Sequence, residues 1–144
     1  MKKTLAILLL GILSLPLQAQ KMSKSKQAIT ASVDKHQEAL IAISDSIWAL
    51  AETAFQETGS SKILADYAEK NGFKVERGVA GIPTAFVATY GSGRPVISVL
   101  GEFDALPGIT QDALPERAPL PEKGAGYACG HHLFGAGSTG AAMA

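Results

Sequence analysis

Apolar residues in the amino-terminal third of the chain recur with a helical period. Val33, Leu40, Ile41, Ile47, Trp48 and Ala51 are separated by steps of three, four and seven residues, while Asp34, Lys35, Gln37, Glu38 and Asp45 fall largely on the other side. A helix with one buried face and one wet face produces this pattern. "ETGSS" interrupts it, and Ser60 or Ser61 then offers a hydroxyl cap to a second helix through Ile63, Leu64, Tyr67 and Ala68. Asn71-Gly72 supplies the stop, since glycine enters the left-handed conformation without steric cost.

The period changes after Gly72. "FKVERG" alternates like a short strand, and "TAFVATY" and "PVISVLG" are apolar, β-branched runs joined by "GSGR", which predicts a hairpin. The second run is almost wholly apolar, as a strand covered on both faces would be. It leads into "EFDALPG". From Ile109 to Gly126 prolines and glycines recur without periodicity, which predicts a long loop of the kind that carries function in compact domains. The small residues from Gly135 to Ala142 open a last helix, and the sequence stops inside it at Ala144. Domain boundaries fall in polar linkers, so the expectation is the amino-terminal part of a longer domain. Two helices, then strands, then a loop and a helix define an α/β layer arrangement.

Ahead of these elements stands "MKKTLAILLLGILSLPLQAQ". Lys2 and Lys3 form a positive n-region, Leu5 to Leu15 an apolar h-region, and Pro16 precedes a small-residue cleavage site at Ala19. The apolar run falls short of the ~20 residues that span a bilayer. Residues 1–20 therefore predict a cleaved export signal, a periplasmic or secreted protein and no stable membrane anchor. Residues 21–32 predict a frayed polar tether, and 33–144 the globular part. Thirteen basic and 13 acidic residues cancel, which removes the general electrostatic case for nucleic acid. Cys129 is the only cysteine, so it closes no internal disulfide.

The chemistry concentrates in "YACGHHLFGAGSTG", residues 127 to 140. Gly135, Gly137 and Gly140 fit the spacing of a dinucleotide-binding turn, but that turn must follow a buried strand directly, and "CGHHLF" is not strand-like. Close helix packing explains these small residues better. Cys129 and His131 are stronger. A thiolate and an imidazole two residues apart can reach one cation where the backbone turns, Gly130 permits the turn, and both donors suit zinc. Asp104 follows the buried run, where α/β folds place their sites, and can orient a metal ligand; Glu102 is the weaker candidate.

"GEFDALPGITQ" and "GYACGHHLFGAG", with "IWALAETAFQETGSS" before them, resemble the zinc-dependent peptidase family of aminoacylases, glutamate carboxypeptidases and amidohydrolases, and within it the amidohydrolase branch. The likeness runs from about Val33 to the end. Elsewhere in the family the first motif reads His-x-Asp-x-x-Pro with a metal-binding histidine. Glu102 stands at that position, while Asp104 and Pro107 match. In the amidohydrolase branch the cysteine of a Cys-Gly-His motif takes over as ligand, and Cys129 and His131 match it. Tyr127 stands where close relatives often carry histidine, and His132 where they carry Asn or Asp.

The resemblance implies the amino-terminal part of a zinc-exopeptidase-like catalytic domain, with an inserted smaller domain and the remaining ligands beyond Ala144. It implies Cys129 and His131 as metal ligands and Asp104 as the catalytic-site carboxylate that supports them. Two divalent ions are implied, zinc or else manganese or cobalt, acting with a glutamate base on the amide of an N-acyl amino acid or aminobenzoyl-glutamate-like substrate. The fragment alone would be inactive. A homo-oligomer of the full-length protein is compatible with this. The alternative is a non-catalytic metal- or ligand-binding remnant of the same fold. Mass spectrometry of the mature protein should find a terminus near Ala19 or Gln20; an intact Met1 terminus on cytosolic protein would exclude export.

Overall fold

The computed structural model describes residues 22–144, so the export signal lies outside the described residues. Helix α1 spans Lys24–Leu50, and Ser23 caps it by accepting the Lys26 N–H at 3.3 Å. The segment expected as a polar tether is thus helical from Lys24. Its Lys, Gln and Ala residues favour helix, and extending a formed helix gains one hydrogen bond for each residue fixed. The buried face keeps Leu40 and Ile47 of the expected one and is otherwise rotated. Ser32, His36, Leu40, Ile43, Ser44 and Ile47 are covered, whereas Val33 and Ile41 are exposed. The rotation turns Ser32, Leu40 and Ser44 toward the last helix, whose Gly140 lies against Leu40.

Helix α2 (Thr58–Lys70) begins without a hydroxyl cap. Ser60 and Ser61, expected as caps, lie inside it and are buried. The Glu52 carboxylate instead accepts the Gly59 N–H at 2.9 Å, the Ser60 N–H at 2.8 Å and the Ser60 hydroxyl at 2.8 Å. It satisfies donors that a helix start leaves open and adds negative charge at the positive end of the helix dipole. Asn71 and Gly72 end α2 as expected, with Gly72 at φ 89°.

Strands β1 (Lys74–Arg77) and β2 (Phe86–Thr89) pair antiparallel, Lys74 opposite Thr89 and Arg77 opposite Phe86. The hairpin expected across "GSGR" is not formed among the described residues, where β2 pairs with β1 on one edge and no ladder joins its other edge to "PVISVLG". The single 3₁₀ turn Val79–Gly81 makes the connection, with Gly78 at φ 69° and Gly81 at φ 74°. "PVISVLG" has no ladder partner among the described residues, and Val96, Ile97 and Leu100 are 77%, 84% and 73% exposed. The expected doubly covered strand is not formed within them: a strand exists only with a hydrogen-bonding neighbour.

The long loop is present and closed at its base, where β3 (Leu106–Pro107) pairs antiparallel with β4 (Ala125–Gly126). Above the base, Gln111 ties the loop together through the Glu116 carbonyl at 2.7 Å and the Ala118 N–H at 2.9 Å, and Lys123 lies 4.1 Å over the Trp48 ring of α1. Helix α3 spans His131–Met143. The described residues form a mixed α/β arrangement of three helices and two two-stranded sheets. Its core is Ile43 and Ile47 of α1, Leu64 of α2 and Ala136 of α3, flanked by Tyr67, Phe86, Phe103 and Tyr127. No described helix is long and apolar enough to cross a membrane.

Burial alone would raise the Glu52 pKa, but the hydrogen bonds from Ser60, Gly59 and Thr58 outweigh it and hold the carboxyl below its ordinary 4.5. A depressed folded pKa contributes stability that is complete above the unfolded value and is lost as pH falls through the folded one. Glu52→Gln should therefore cost about 1 kcal/mol at neutral pH. In chemical denaturation the difference from the unaltered protein should shrink below pH 4.5.

Candidate metal centre

Two stretches of chain meet at the centre, and each is held in place locally. Ala105 donates its N–H to the Glu52 carbonyl at 2.7 Å and bridges to Thr53 in parallel, while Leu106 pairs with Gly126. These contacts fix residues 101–104 beside the start of α3. The second stretch, Tyr127 to Gly130, is a turn closed by the Gly130 N–H on the Tyr127 carbonyl at 3.1 Å. Gly130 sits at φ 72°, a conformation that glycine adopts freely, and its carbonyl accepts from Leu133 and Phe134 at 3.0 Å each. His131 thereby enters on the first turn of α3.

The small residues of α3 bring the two stretches together. A Cβ on Gly135 would lie 3.1 Å from the Glu102 carbonyl oxygen and 3.2 Å from the Phe103 Cβ. The Ser138 hydroxyl donates to the Leu100 carbonyl at 2.6 Å. A Cβ on Gly140 would come within 2.7 Å of Leu40 in α1. Gly135, Gly137 and Gly140 thus lie inside a helix rather than in a strand-to-helix turn, and the outer two serve close packing.

His131 lies between two carboxylates. Its Nδ1 is 2.8 Å from Asp104 Oδ1, and its Nε2 is 3.2 Å from Glu102 Oε2. An ionised carboxylate only accepts, so Nδ1 carries the proton in the Asp104 contact, and Nε2, which faces the Glu102 carboxylate, does so too when the ring is charged. Asp104 is a quarter exposed and Glu102 half exposed. Cys129 is a free, exposed thiol on the preceding turn. Among the described residues no set of three or more His, Cys, Asp and Glu side chains is gathered to hold a metal ion. The structure joins His131 to Asp104 and Glu102, and does not gather Cys129 into such a set.

Tyr127 and His132, the two departures from the family pattern, both turn inward. The Tyr127 hydroxyl lies 3.1 Å from the Ile47 carbonyl and 3.2 Å from the Phe103 carbonyl, so its proton links α1 to the stretch that carries Asp104. Burial pushes its pKa up to about 12, and the charges of Glu52, Asp104 and Glu57 add to the rise against a Ser60 hydrogen bond. It remains a donor at neutral pH. The His132 ring packs 4.9 Å from the Tyr127 ring, with Nδ1 buried and without a partner. Burial lowers the His132 pKa, partly offset by the charge of Asp45. The sequence did not signal the Tyr127 clamp, because its acceptors stand 80 and 24 residues away.

No protein-family model matches the chain. Over 103 residues, 71% of its length, it is 45% identical to a subunit of the p-aminobenzoyl-glutamate hydrolase of Escherichia coli (strain K12). Over 82 residues it is 34% identical to thermostable carboxypeptidase 1 of Saccharolobus solfataricus. The chain belongs to the amidohydrolase and carboxypeptidase family. It spans 21% of the length of the first of these family members and 20% of the second.

A metal-dependent reading of the family can be tested on this donor set. Asp104 occupies Nδ1 of His131 and leaves Nε2 as a ligand atom, the usual arrangement behind a metal-bound histidine. The thiol of Cys129 suits the same borderline ions. These residues fit part of a metal centre. Replacing Tyr127 by Phe removes the clamp behind Asp104 and leaves a carbonyl without its donor. It should destabilise the fold by about 1–2 kcal/mol in urea titration, whereas an unchanged midpoint would exclude a structural role for the hydroxyl.

Proposed function

We propose that the chain is the amino-terminal part of a metal-dependent amidohydrolase with a zinc-exopeptidase-like catalytic domain. The proposed reaction is hydrolysis of the amide bond of an N-acyl amino acid or an aminobenzoyl-glutamate-like substrate. The observation that carries this reading is the 2.8 Å contact from His131 Nδ1 to Asp104, set within the Cys-Gly-His motif. The 45% identity to a p-aminobenzoyl-glutamate hydrolase subunit supports the substrate class. Export, from the amino-terminal leader, belongs to the same proposal, as does a homo-oligomer of the full-length protein.

Cys129 and His131 would hold a divalent ion, zinc or else manganese or cobalt, one of two in the complete site. When bound, such an ion supplies Lewis acidity toward water and toward an amide carbonyl. The residues of this chain do the positioning. Asp104 keeps the proton on Nδ1 and so directs the Nε2 lone pair toward the ion. Tyr127 holds the Phe103 carbonyl and with it the placement of Asp104. Catalytic zinc sites use three protein ligands, and the general base expected from the family motif is not among residues 1–144. On this reading the 144-residue chain alone does not turn over.

In the full-length enzyme, Cys129→Ser should lower bound metal and turnover together, each by at least ~10-fold. Elemental analysis gives the first, and hydrolysis of aminobenzoyl-glutamate before and after chelation gives the second. Unchanged metal stoichiometry would reject Cys129 as a ligand. Metal-dependent turnover by residues 21–144 alone would reject the claim that the base lies elsewhere.

A further inference from the structure

A second concave site lies at the other end of α3. The first half of α1, the residues after α2 and the last turn of α3 enclose a cleft of about 530 Å³. Small-molecule sites have volumes of this order. Met143, on its wall, stands roughly 18 Å along the helix axis from His131, at 1.5 Å per residue. The cleft shares no residue with the candidate metal centre. Phe73 and Tyr90 form an aromatic wall, with ring centroids 5.2 Å apart. The Tyr90 side is 72% exposed, so most of that ring is open to a stacking partner.

The ionisable groups of the cleft favour one sign of guest. Lys35 and His36 line it, and no acidic side chain does. Among the described residues no ion pair takes up the Lys35 ammonium. The neighbouring polar groups are already fixed by the fold. The Tyr67 hydroxyl lies 2.7 Å from His36 Nδ1 and leaves Nε2 as the unused nitrogen of that ring. The Asn71 carboxamide donates to the Tyr67 carbonyl at 2.8 Å. A cleft with an aromatic wall, an uncommitted ammonium and no carboxylate suits a flat ring that carries a negative charge. From this juxtaposition we infer that the cleft is a binding site for a small aromatic carboxylate, its ring on Tyr90 and its charge on Lys35. The inference stands apart from the proposed hydrolysis, since it uses none of the residues assigned to the metal centre.

The test is a titration of the full-length protein with 4-fluorobenzoate, followed by fluorine NMR, with circular dichroism to confirm that each variant folds. Saturable binding is expected. Lys35→Met removes a charge-assisted contact and should weaken it by at least ~10-fold. Tyr90→Ala removes the stacked ring and should weaken it by ~3–10-fold. The neutral 4-fluorobenzamide should bind at least ~10-fold more weakly than the carboxylate. Cys129→Ser, remote from the cleft, should leave the affinity within ~2-fold of the unaltered protein. Absence of saturable binding would overturn the inference, and so would an affinity that Lys35→Met or Tyr90→Ala leaves unchanged. Weakening by Cys129→Ser alone would place the carboxylate at the metal centre, overturning this inference and leaving the metal-dependent reading intact. A protein that binds 4-fluorobenzoate through Lys35 and Tyr90 yet hydrolyses no amide would uphold this inference and reject the proposed function.

Discussion

Gly135 leaves room for the Glu102 carbonyl and the Phe103 side chain to lie directly against α3, and the candidate centre depends on that approach. Two further contacts hold it. Ser138 bonds the Leu100 carbonyl on one side, and Gly140 admits Leu40 of α1 on the other. A methyl group at Gly135 would press on the Glu102 carbonyl and the Phe103 Cβ, which would have to give by a few tenths of an ångström, whereas at Gly140 it would meet only the turnable end of the Leu40 side chain. Because the helix sits so close, the first turn of α3 delivers the His131 ring between Asp104 and Glu102. A small displacement of α3 would break a hydrogen bond that orients the imidazole. The glycine pattern that mimics a nucleotide loop is therefore the packing surface on which the centre is built.

The charges around this surface are arranged by commitment. Glu52 is bound to the amide and hydroxyl donors at the start of α2, and Asp104 is bound to His131. Tyr127 sits among Glu52, Asp104 and Glu57 with its pKa pushed up to about 12, so it adds a hydrogen-bond donor to an acidic neighbourhood and no further negative charge. His132 is driven toward its neutral form by burial and packs against Tyr127 rather than joining the carboxylates. Two neighbouring histidines in one motif thus have different environments. One is set between carboxylates, and the other is folded into the interior.

The residues before the centre are the opposite case. Val96, Ile97 and Leu100 bring substantial apolar surface to the stretch that ends at Glu102, yet within the described residues nothing covers them. Fully burying one such side chain is worth about 1.5–3 kcal/mol, so this stretch adds little of its hydrophobic potential to the described fold. Its order comes from its carboxyl end, where Ser138, Gly135 and the Ala105–Glu52 bond fix it. The centre is anchored from that side.

The sequence by itself determined the elements whose signals are local. The helical period of 33–51, the Asn71-Gly72 stop, the proline-rich loop and the Cys-Gly-His motif each depend on residues close together in the chain, and each has its counterpart in the structure, the motif as the turn into α3. The same holds for Asp104, recognisable from its place after an apolar run. Tertiary structure decided what local pattern left open. The helical period of α1 left its rotation open, and the face turned toward α3 carries Ser32, Leu40 and Ser44. The partner that "TAFVATY" takes among the described residues is β1, brought to it by the Gly78 and Gly81 turn. The cap of α2 came from Glu52, eight residues before Ser60, and the Tyr127 clamp spans 80 residues to Ile47. A hydrogen bond across such distances depends on where the chain returns in space, and the spacing of residues along it carries no record of that.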